Sequence, residues 1–362
     1  MISNLQVLRG LAALAVVFYH TAFTFNGGVH TDFQAVSVFF VISGFIMTYI
    51  TREDTSQFLQ QRLIRIVPLY WLCTLAAIAP SMLKGSGRLW EDSSFGNIVN
   101  SLLFIPYRDG AGDIHPLLAV GWTLNLEMFF YVLFATMLII NRRLAPLLTC
   151  LALIAIKIVH QEFGCNALLC EFYAHDYTTF LIAGVLSYYV WSAVRAHATV
   201  WRLTTMVLAS LSFALFVAWN CAPALADALQ QWFTFPLFYL MPPLLVIAAL
   251  LLHSARAQWR WKIALVLGDA SYALYLTHTI VMEAVRVATN KLAGDRMALL
   301  NPKDGAWAMA AILIVCSLVA IVVHYRVEMP MLRSLRGALI RKPARPQPAP
   351  LPQAEAVLEI RS

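Results

Sequence analysis

Apolar positions in this chain neither alternate nor repeat along a narrow stripe; they come in unbroken runs close to twenty residues long. A helix rising about 1.5 Å per residue needs about that many to cross roughly 30 Å of hydrocarbon. Ten runs of this kind are read, at about 5–24, 33–50, 63–83, 120–140, 144–160, 176–194, 200–219, 232–252, 263–288 and 306–325. The segment from Gly96 to Pro106 is too short to span and reads as an interfacial or re-entrant piece. Beyond Tyr325 the chain turns basic, and Pro343, Pro346, Pro348, Pro350 and Pro352 follow. That pattern predicts one membrane domain at 1–332 and a basic, Pro-rich, disordered tail at 333–362. No internal repeat is visible. The expected class is all-α: a polytopic membrane protein of about ten transmembrane helices.

Composition agrees. Hydrophobic residues make up 60% of the 362 and charged residues 12%, with a mean hydropathy of +0.70. Soluble globular proteins carry roughly 45–50% and 25%. A soluble globule has no way to cover so much apolar surface, and a disordered chain needs the opposite balance. The net charge of +7 and pI of about 9.2 come from too few charges to build a nucleic-acid groove. Six cysteines are too scattered for a disulfide framework, and no Cys/His cluster has zinc spacing, so no metal site is expected. Cys165 and Cys170 flank a short polar loop and are placed to pair if that loop faces an oxidising compartment. The N-terminus lacks Lys or Arg before Arg9 and a small-residue cleavage site after its apolar run, so it reads as a retained first helix.

Orientation follows from the cationic residues. Arg52, Arg142, Arg143, Arg195, Arg202, Arg256, Arg260, Lys262 and the tail arginines fall on one side if the N-terminus is cytoplasmic. The positive-inside bias then places both termini in the cytoplasm, as an even number of spans requires.

Ionisable groups inside spans cost at least about 2.5–3.5 kcal/mol each on insertion scales, so each needs a partner or a task. Arg9 and His20 lie eleven residues apart on the first helix, close to three turns. They share a face with an axial separation of about 16 Å, Arg9 near the cytoplasmic surface and His20 toward the outer side. Taken singly, they read equally well as a snorkelling Arg and a core His on a backbone carbonyl. Arg62 and Arg65, at i, i+3 on the third helix, make a bidentate clamp for an anionic cytoplasmic ligand, or anchor the helix end. Glu127 falls about 10 Å into the fourth helix, where a carboxylate is protonated or paired. Ser271, Tyr275 and His278 recur one turn apart on the ninth helix. His278 is expected at the level of His20 and Glu127, either as part of a site or as a hydrogen-bond tie between helices.

These residues resemble the acyltransferase-3 family over about 4–332. The resemblance rests on Arg9-x10-His20, on Phe39-Phe40-Val41-Ile42-Ser43-Gly44-Phe45, and on Arg62-x-x-Arg65 with Pro68-Leu69-Tyr70-Trp71. Trp122 through Tyr131, Ser271 to His278 and the closing Glu328-Met329-Pro330 follow in the family's order. Ala35-Val36-Ser37 departs from the Gly-Val-Asp often found before the Phe-Phe pair. The short form, without an appended hydrolase-like domain, is closest to exopolysaccharide-production and sugar O-acetyltransferase members.

The resemblance implies transfer of an acyl group, usually acetyl, from cytoplasmic acyl-coenzyme A to a hydroxyl of a cell-surface or lipid-linked polysaccharide at the bacterial cytoplasmic (inner) membrane. Polysaccharide assembly machinery is an implied partner. His20 is then the general base or a transient acyl carrier, with Glu127 orienting or charge-balancing an imidazole. Arg9, Arg62 and Arg65 hold the coenzyme A phosphates. Ser43, Trp122, Tyr131, Tyr275, His278 and Glu328 form the surrounding substrate or structural network. The competing reading is a transporter or flippase of an anionic metabolite or lipid-linked glycan, which also needs intramembrane charges along one path.

Overall fold

The computed structural model describes residues 2–25, 35–51, 57–85, 88–165, 167–197, 223–293 and 305–340, with single helical positions between 204 and 214. All of the regular structure among these is helical. In chain order the helices are α1 (Ser3–Phe25), α2 (Ala35–Ile50), α3 (Phe58–Lys84), the short α4 (Arg88–Asp92) and α5 (Phe95–Leu102), then α6 (Trp122–Ile140), α7 (Ala145–Phe163), α8 (Leu168–Tyr173) and α9 (Thr178–Val194). After them come α10 (Pro223–Ser254), α11 (Lys262–Asp269), α12 (Ser271–Ala293), α13 (Gly305–Val323), a π-helical turn at His324–Glu328, and α14 (Met329–Leu339).

Among the described residues five helices are long and apolar enough to cross a membrane: Phe58–Lys84, Ala119–Ile140, Ala145–Phe163, Thr178–His197 and Trp307–Leu339. The bent pair Lys262–Asp269 and Ser271–Thr289 makes a sixth if it counts as one span. This is a multi-pass membrane protein. The runs at 5–24, 33–50 and 232–252 also become helices, α1, α2 and α10. Within them, α2 is only 16 residues long, and α1 carries Arg9 and His20 in its length. Most of the run at 200–219 lies outside the described residues.

Three boundaries differ from the expectations. The segment 263–288, read as one span, breaks at Ala270 and bends by 73°. The break lies where α11 crosses α1 at backbone contact. A Cβ on Gly268 would sit 2.2 Å from the Gln6 carbonyl oxygen, while Gln6 Nε2 donates to Asp269 Oδ1 at 2.6 Å and to the Leu265 carbonyl at 3.0 Å. The last helix does not end near 325; the π turn carries it on to Leu339, whose carbonyl accepts from Gln60 Nε2 at 3.0 Å. Helix therefore continues past the expected boundary at 332, and the rest of the tail, 341–362, lies outside the described residues. The piece at Gly96–Pro106 does contain a short helix, α5, capped by Ser94 Oγ, which accepts from the Asn97 N–H at 3.1 Å.

α1 is the hub of the bundle, packing against α2, α10, α11, α12 and α13. The tightest pair is α2 with α9. There Gly44 and Gly184 face each other, and a Cβ on either would come within 2.2 Å of a carbonyl oxygen, that of Leu181 or Val41. Lipid supplies no hydrophobic drive between helices, so close backbone approach at small residues takes over that role. α3 runs antiparallel to α6: Phe58 meets Phe134 at one end, and Tyr70 lies against Gly121 at the other.

Candidate active site

The site is built on α1 together with α2, α3, α6 and α12. At one end of the bundle Arg9 (α1), Arg62 and Arg65 (α3) and Glu127 (α6) line a cavity of about 100 Å³, with Ser43 of α2 and Ser271 of α12 also in its wall. Three guanidinium groups thus face one carboxylate. Ser43 Oγ donates to Glu127 Oε1 at 2.5 Å, and the Tyr131 hydroxyl donates to the same oxygen. Two polar atoms in the wall are buried and without a hydrogen-bond partner: Arg62 Nε and Ser271 Oγ. Buried polar groups in folded proteins are almost always paired, so these two stand out in the wall. The Tyr272 hydroxyl donates to the Ile66 carbonyl at 2.7 Å and ties α12 to the arginine-bearing helix.

A polar layer closes the cavity above. The Tyr275 hydroxyl lies 2.8 Å from Thr123 Oγ1 and donates to the Val120 carbonyl at 3.0 Å. Beyond it, His20 of α1 meets His278 of α12, with His278 Nε2 3.1 Å from His20 Nδ1 and ring centroids 5.0 Å apart. His20 in turn lines a second cavity, of about 750 Å³, with Tyr19, Asp92, Tyr107, Asp109, Asp113 and His115 among its walls. Burial pushes the Tyr107 hydroxyl above its ordinary value, and Ser101 Oγ lies 3.0 Å from it.

Most of the residues singled out in the sequence converge here. Arg9, Arg62, Arg65, Ser43, Tyr131 and Glu127 share the first cavity, and His20 and His278 share the layer above. The expected alliance of Glu127 with an imidazole is corrected. Glu127 is one turn of α6 from Thr123, and His278 is nearly one turn of α12 from Tyr275 in the opposite direction. The two residues therefore lie about 10 Å apart along the bundle, on either side of the Thr123–Tyr275 contact. Spacing along each helix was readable, but the relative register of α6 and α12 was not.

Trp122 stands outside both cavities and packs against His175 and Tyr177. There, burial holds the His175 imidazole below its ordinary value. Glu328, 2% exposed, pairs with His324 at 2.8 Å across the π turn. The sequence reading missed His324, although its i, i+4 spacing to Glu328 was a usable signal. It also missed Thr123, Tyr272 and the outer group Asp109, Asp113 and His115, whose ligand atoms lie within 4.8 Å of one another. Asp109 Oδ1 already accepts from the Ala111 and Asp113 N–H groups. Cys165 and Cys170 are free thiols. Ser37, at the departure from the family pattern, is buried with an unpartnered hydroxyl.

Arginines at one level and paired histidines at another thus lie within one multi-pass helical bundle. The profile of the acyltransferase domain matches residues 2–326, and the chain belongs to the acyltransferase-3 family. It is an acyl-transferring enzyme. The exopolysaccharide production protein ExoZ of Rhizobium meliloti is 30% identical over 83% of this chain and 90% of its own length. Acyltransferase MdmB of Streptomyces mycarofaciens is 26% identical over 96% of this chain and 95% of its own. The peptidoglycan O-acetyltransferase OatA of Listeria monocytogenes is 28% identical over 38% of this chain, a match covering 24% of that protein. No solved structure shows a significant match.

Proposed function

We propose that this protein transfers an acyl group, acetyl in the first instance, from cytoplasmic acyl-coenzyme A to a hydroxyl of a cell-surface or lipid-linked polysaccharide. The observation that carries this reading is that His20 lines a wide polar cavity, while a narrow cavity lined by three arginines lies beyond the Thr123–Tyr275 contact. In this reading the chain sits in the bacterial cytoplasmic membrane with ten spans and both termini cytoplasmic. The arginines then face the compartment that holds the donor. The names of ExoZ and OatA support a glycan acceptor and an acetyl group.

The donor matches the chemistry of the first cavity. Arg9, Arg62 and Arg65 would hold its phosphates through charge-assisted bonds, which bidentate guanidinium groups make well. About 100 Å³ is too little for a nucleotide but accommodates part of a thin arm, so the nucleotide would rest at the mouth while the thioester lies deeper. Arg62 Nε and Ser271 Oγ are the unsatisfied groups such a ligand would meet. Glu127, held by Ser43 and Tyr131, would offset part of the charge of the guanidinium groups in the same wall. The acceptor hydroxyl would arrive from the wide cavity.

His20 then acts as general base. It takes the hydroxyl proton as the oxygen attacks the thioester carbonyl carbon. The C–S bond breaks as the C–O bond completes, and the imidazolium returns its proton to the departing thiolate. The products are an ester and a free thiol. A general base of this kind contributes about 10²–10⁴-fold.

The test uses isolated membranes containing endogenous glycan and labelled acetyl-coenzyme A. His20→Ala is expected to lose at least about a hundredfold in label transfer at normal protein level, while still binding coenzyme A. Replacing Arg62 and Arg65 together by Ala is expected to weaken coenzyme A binding at least about tenfold, since each lost charge-assisted contact is worth about 1.5–3 kcal/mol. Label transfer that persists in His20→Ala, or unchanged binding in the arginine double variant, overturns the reading.

A further inference from the structure

We infer that His278 is the positioning residue that fixes the proton on one nitrogen of His20 and turns the other nitrogen toward the wide cavity. The inference rests on the reading of His20 as the base. Its evidence is the hydrogen-bond arithmetic of the two rings. His278 Nδ1 lies 3.2 Å from the carbonyl oxygen of Leu274, and His20 Nδ1 lies 3.1 Å from that of Val16. Each carbonyl belongs to the residue four positions earlier on the same helix. A carbonyl oxygen only accepts, so each Nδ1 in a neutral ring must carry its hydrogen. His278 Nε2 is therefore left as a lone pair. It faces His20 Nδ1 at 3.1 Å, so it accepts from that same N–H, which is shared between Val16 and His278.

With Nδ1 occupied on both sides, the nitrogen of His20 left to accept a proton is Nε2. His20 is also the member of the pair that lines the wide cavity, whereas His278 is fully buried. The pair is thus polarised in one direction, from the Leu274 carbonyl through His278 to His20 and on to the arriving hydroxyl. His278 itself is held by its neighbours: the Cys316 thiol points at its carbonyl at 4.0 Å, and the ring of Tyr275 lies 6.0 Å from its own. When His20 takes up the hydroxyl proton at Nε2, the Nδ1–H bond to His278 becomes charge-assisted, and such bonds are about twice as strong as neutral ones. The gain exists only while His20 is charged, so it belongs to the transition state and acts on kcat more than on KM. A buried carboxylate does this in hydrolase triads; here a neutral imidazole does it, which leaves no net charge in the apolar layer before the proton arrives.

The test compares His278→Leu with His278→Gln in isolated membranes, reading label transfer against acetyl-coenzyme A concentration. The glutamine amide oxygen reaches about as far as Nε2 and restores an acceptor, whereas leucine fills the space without one. His278→Leu is expected to lose about ten- to a hundredfold in kcat, with KM for acetyl-coenzyme A changed less than about twofold. His278→Gln is expected to recover most of that loss. Equal impairment of both variants, or full activity in His278→Leu beside an inactive His20→Ala, overturns the positioning role and leaves the base assignment standing. Transfer that survives in His20→Ala but not in His278→Gln overturns both, with the roles exchanged. Melting temperatures of the two variants in detergent separate a folding defect from a chemical one, because their expected activities differ while their packing volumes are close.

Discussion

A single carboxylate oxygen receives both the Ser43 and the Tyr131 hydroxyls, and this sharing determines how the site responds to substitution. Glu127 stands among three arginines. Its two donors hold it in one rotamer, so the direction of its charge is fixed before any ligand enters. Removing one donor leaves the other in place, and the carboxylate then swings or admits water. Tyr131→Phe is expected to raise KM for the acyl donor at least about tenfold while leaving kcat within about threefold, since a hydrogen bond to a charged group is worth about 1.5–3 kcal/mol. Adding Ser43→Ala should cost less than the sum of the single losses, because both hydroxyls serve one oxygen. Steady-state kinetics on the two single variants and the double variant checks this; strictly additive losses would mean that the two hydroxyls act independently.

At the scale of elements, α2 and α9 set the position of Ser43 through the glycine beside it. Gly44 and Gly184 let the two backbones touch, and a Cβ on Gly44 would fall 2.2 Å from the Leu181 carbonyl oxygen. Contact with a backbone atom has no soft way to relax, so the helices must part. Gly44→Ala and Gly184→Ala are each expected to destabilise by about 1–3 kcal/mol, the usual cost of overpacking. Gly96→Ala, whose nearest neighbour would be 3.9 Å away, serves as the control. Thermal unfolding in detergent reads the difference, and an unchanged melting temperature for Gly184→Ala would remove the α2–α9 contact from the elements that shape the site. The crossing of α11 over α1 at Gly10 and Gly268 works in the same way. It sets the depth of the neighbouring Arg9.

Over the whole molecule, the arginine cavity and the wide cavity lie on opposite sides of the histidine layer. The proposed chemistry requires them to open to opposite compartments. A cysteine at Ala111, in the loop leading into α6, should react with an impermeant thiol reagent added to intact spheroplasts. A cysteine at Arg143, in the turn after α6, should react only after permeabilisation. Both are placed in a background freed of native cysteines, because Cys165 and Cys170 are free thiols. The converse labelling would turn the arginines away from the cytoplasmic donor and invert the proposed path.

Run length and residue type along each helix were legible without coordinates. Apolar stretches near twenty residues long announced the membrane class, because backbone groups in hydrocarbon must pair within their own helix. The cost of burying charge made Arg9, His20, Arg62, Arg65 and Glu127 conspicuous. The expected shared face of Arg9 and His20 followed from the 3.6-residue period; Arg9 lines one cavity and His20 the other. What the chain does not display is register between helices. That depends on glycine contacts such as Gly44 with Gly184 and Gly10 with Gly268, pairs distant in sequence that no periodicity connects. Register placed Glu127 with Ser43 and Tyr131 instead of with an imidazole, broke the run at 263–288 into α11 and α12, and set His278 against His20. Local pattern thus determined which groups lie in the membrane, and tertiary packing decided which of them meet, because meeting is settled by the sliding of one helix past another.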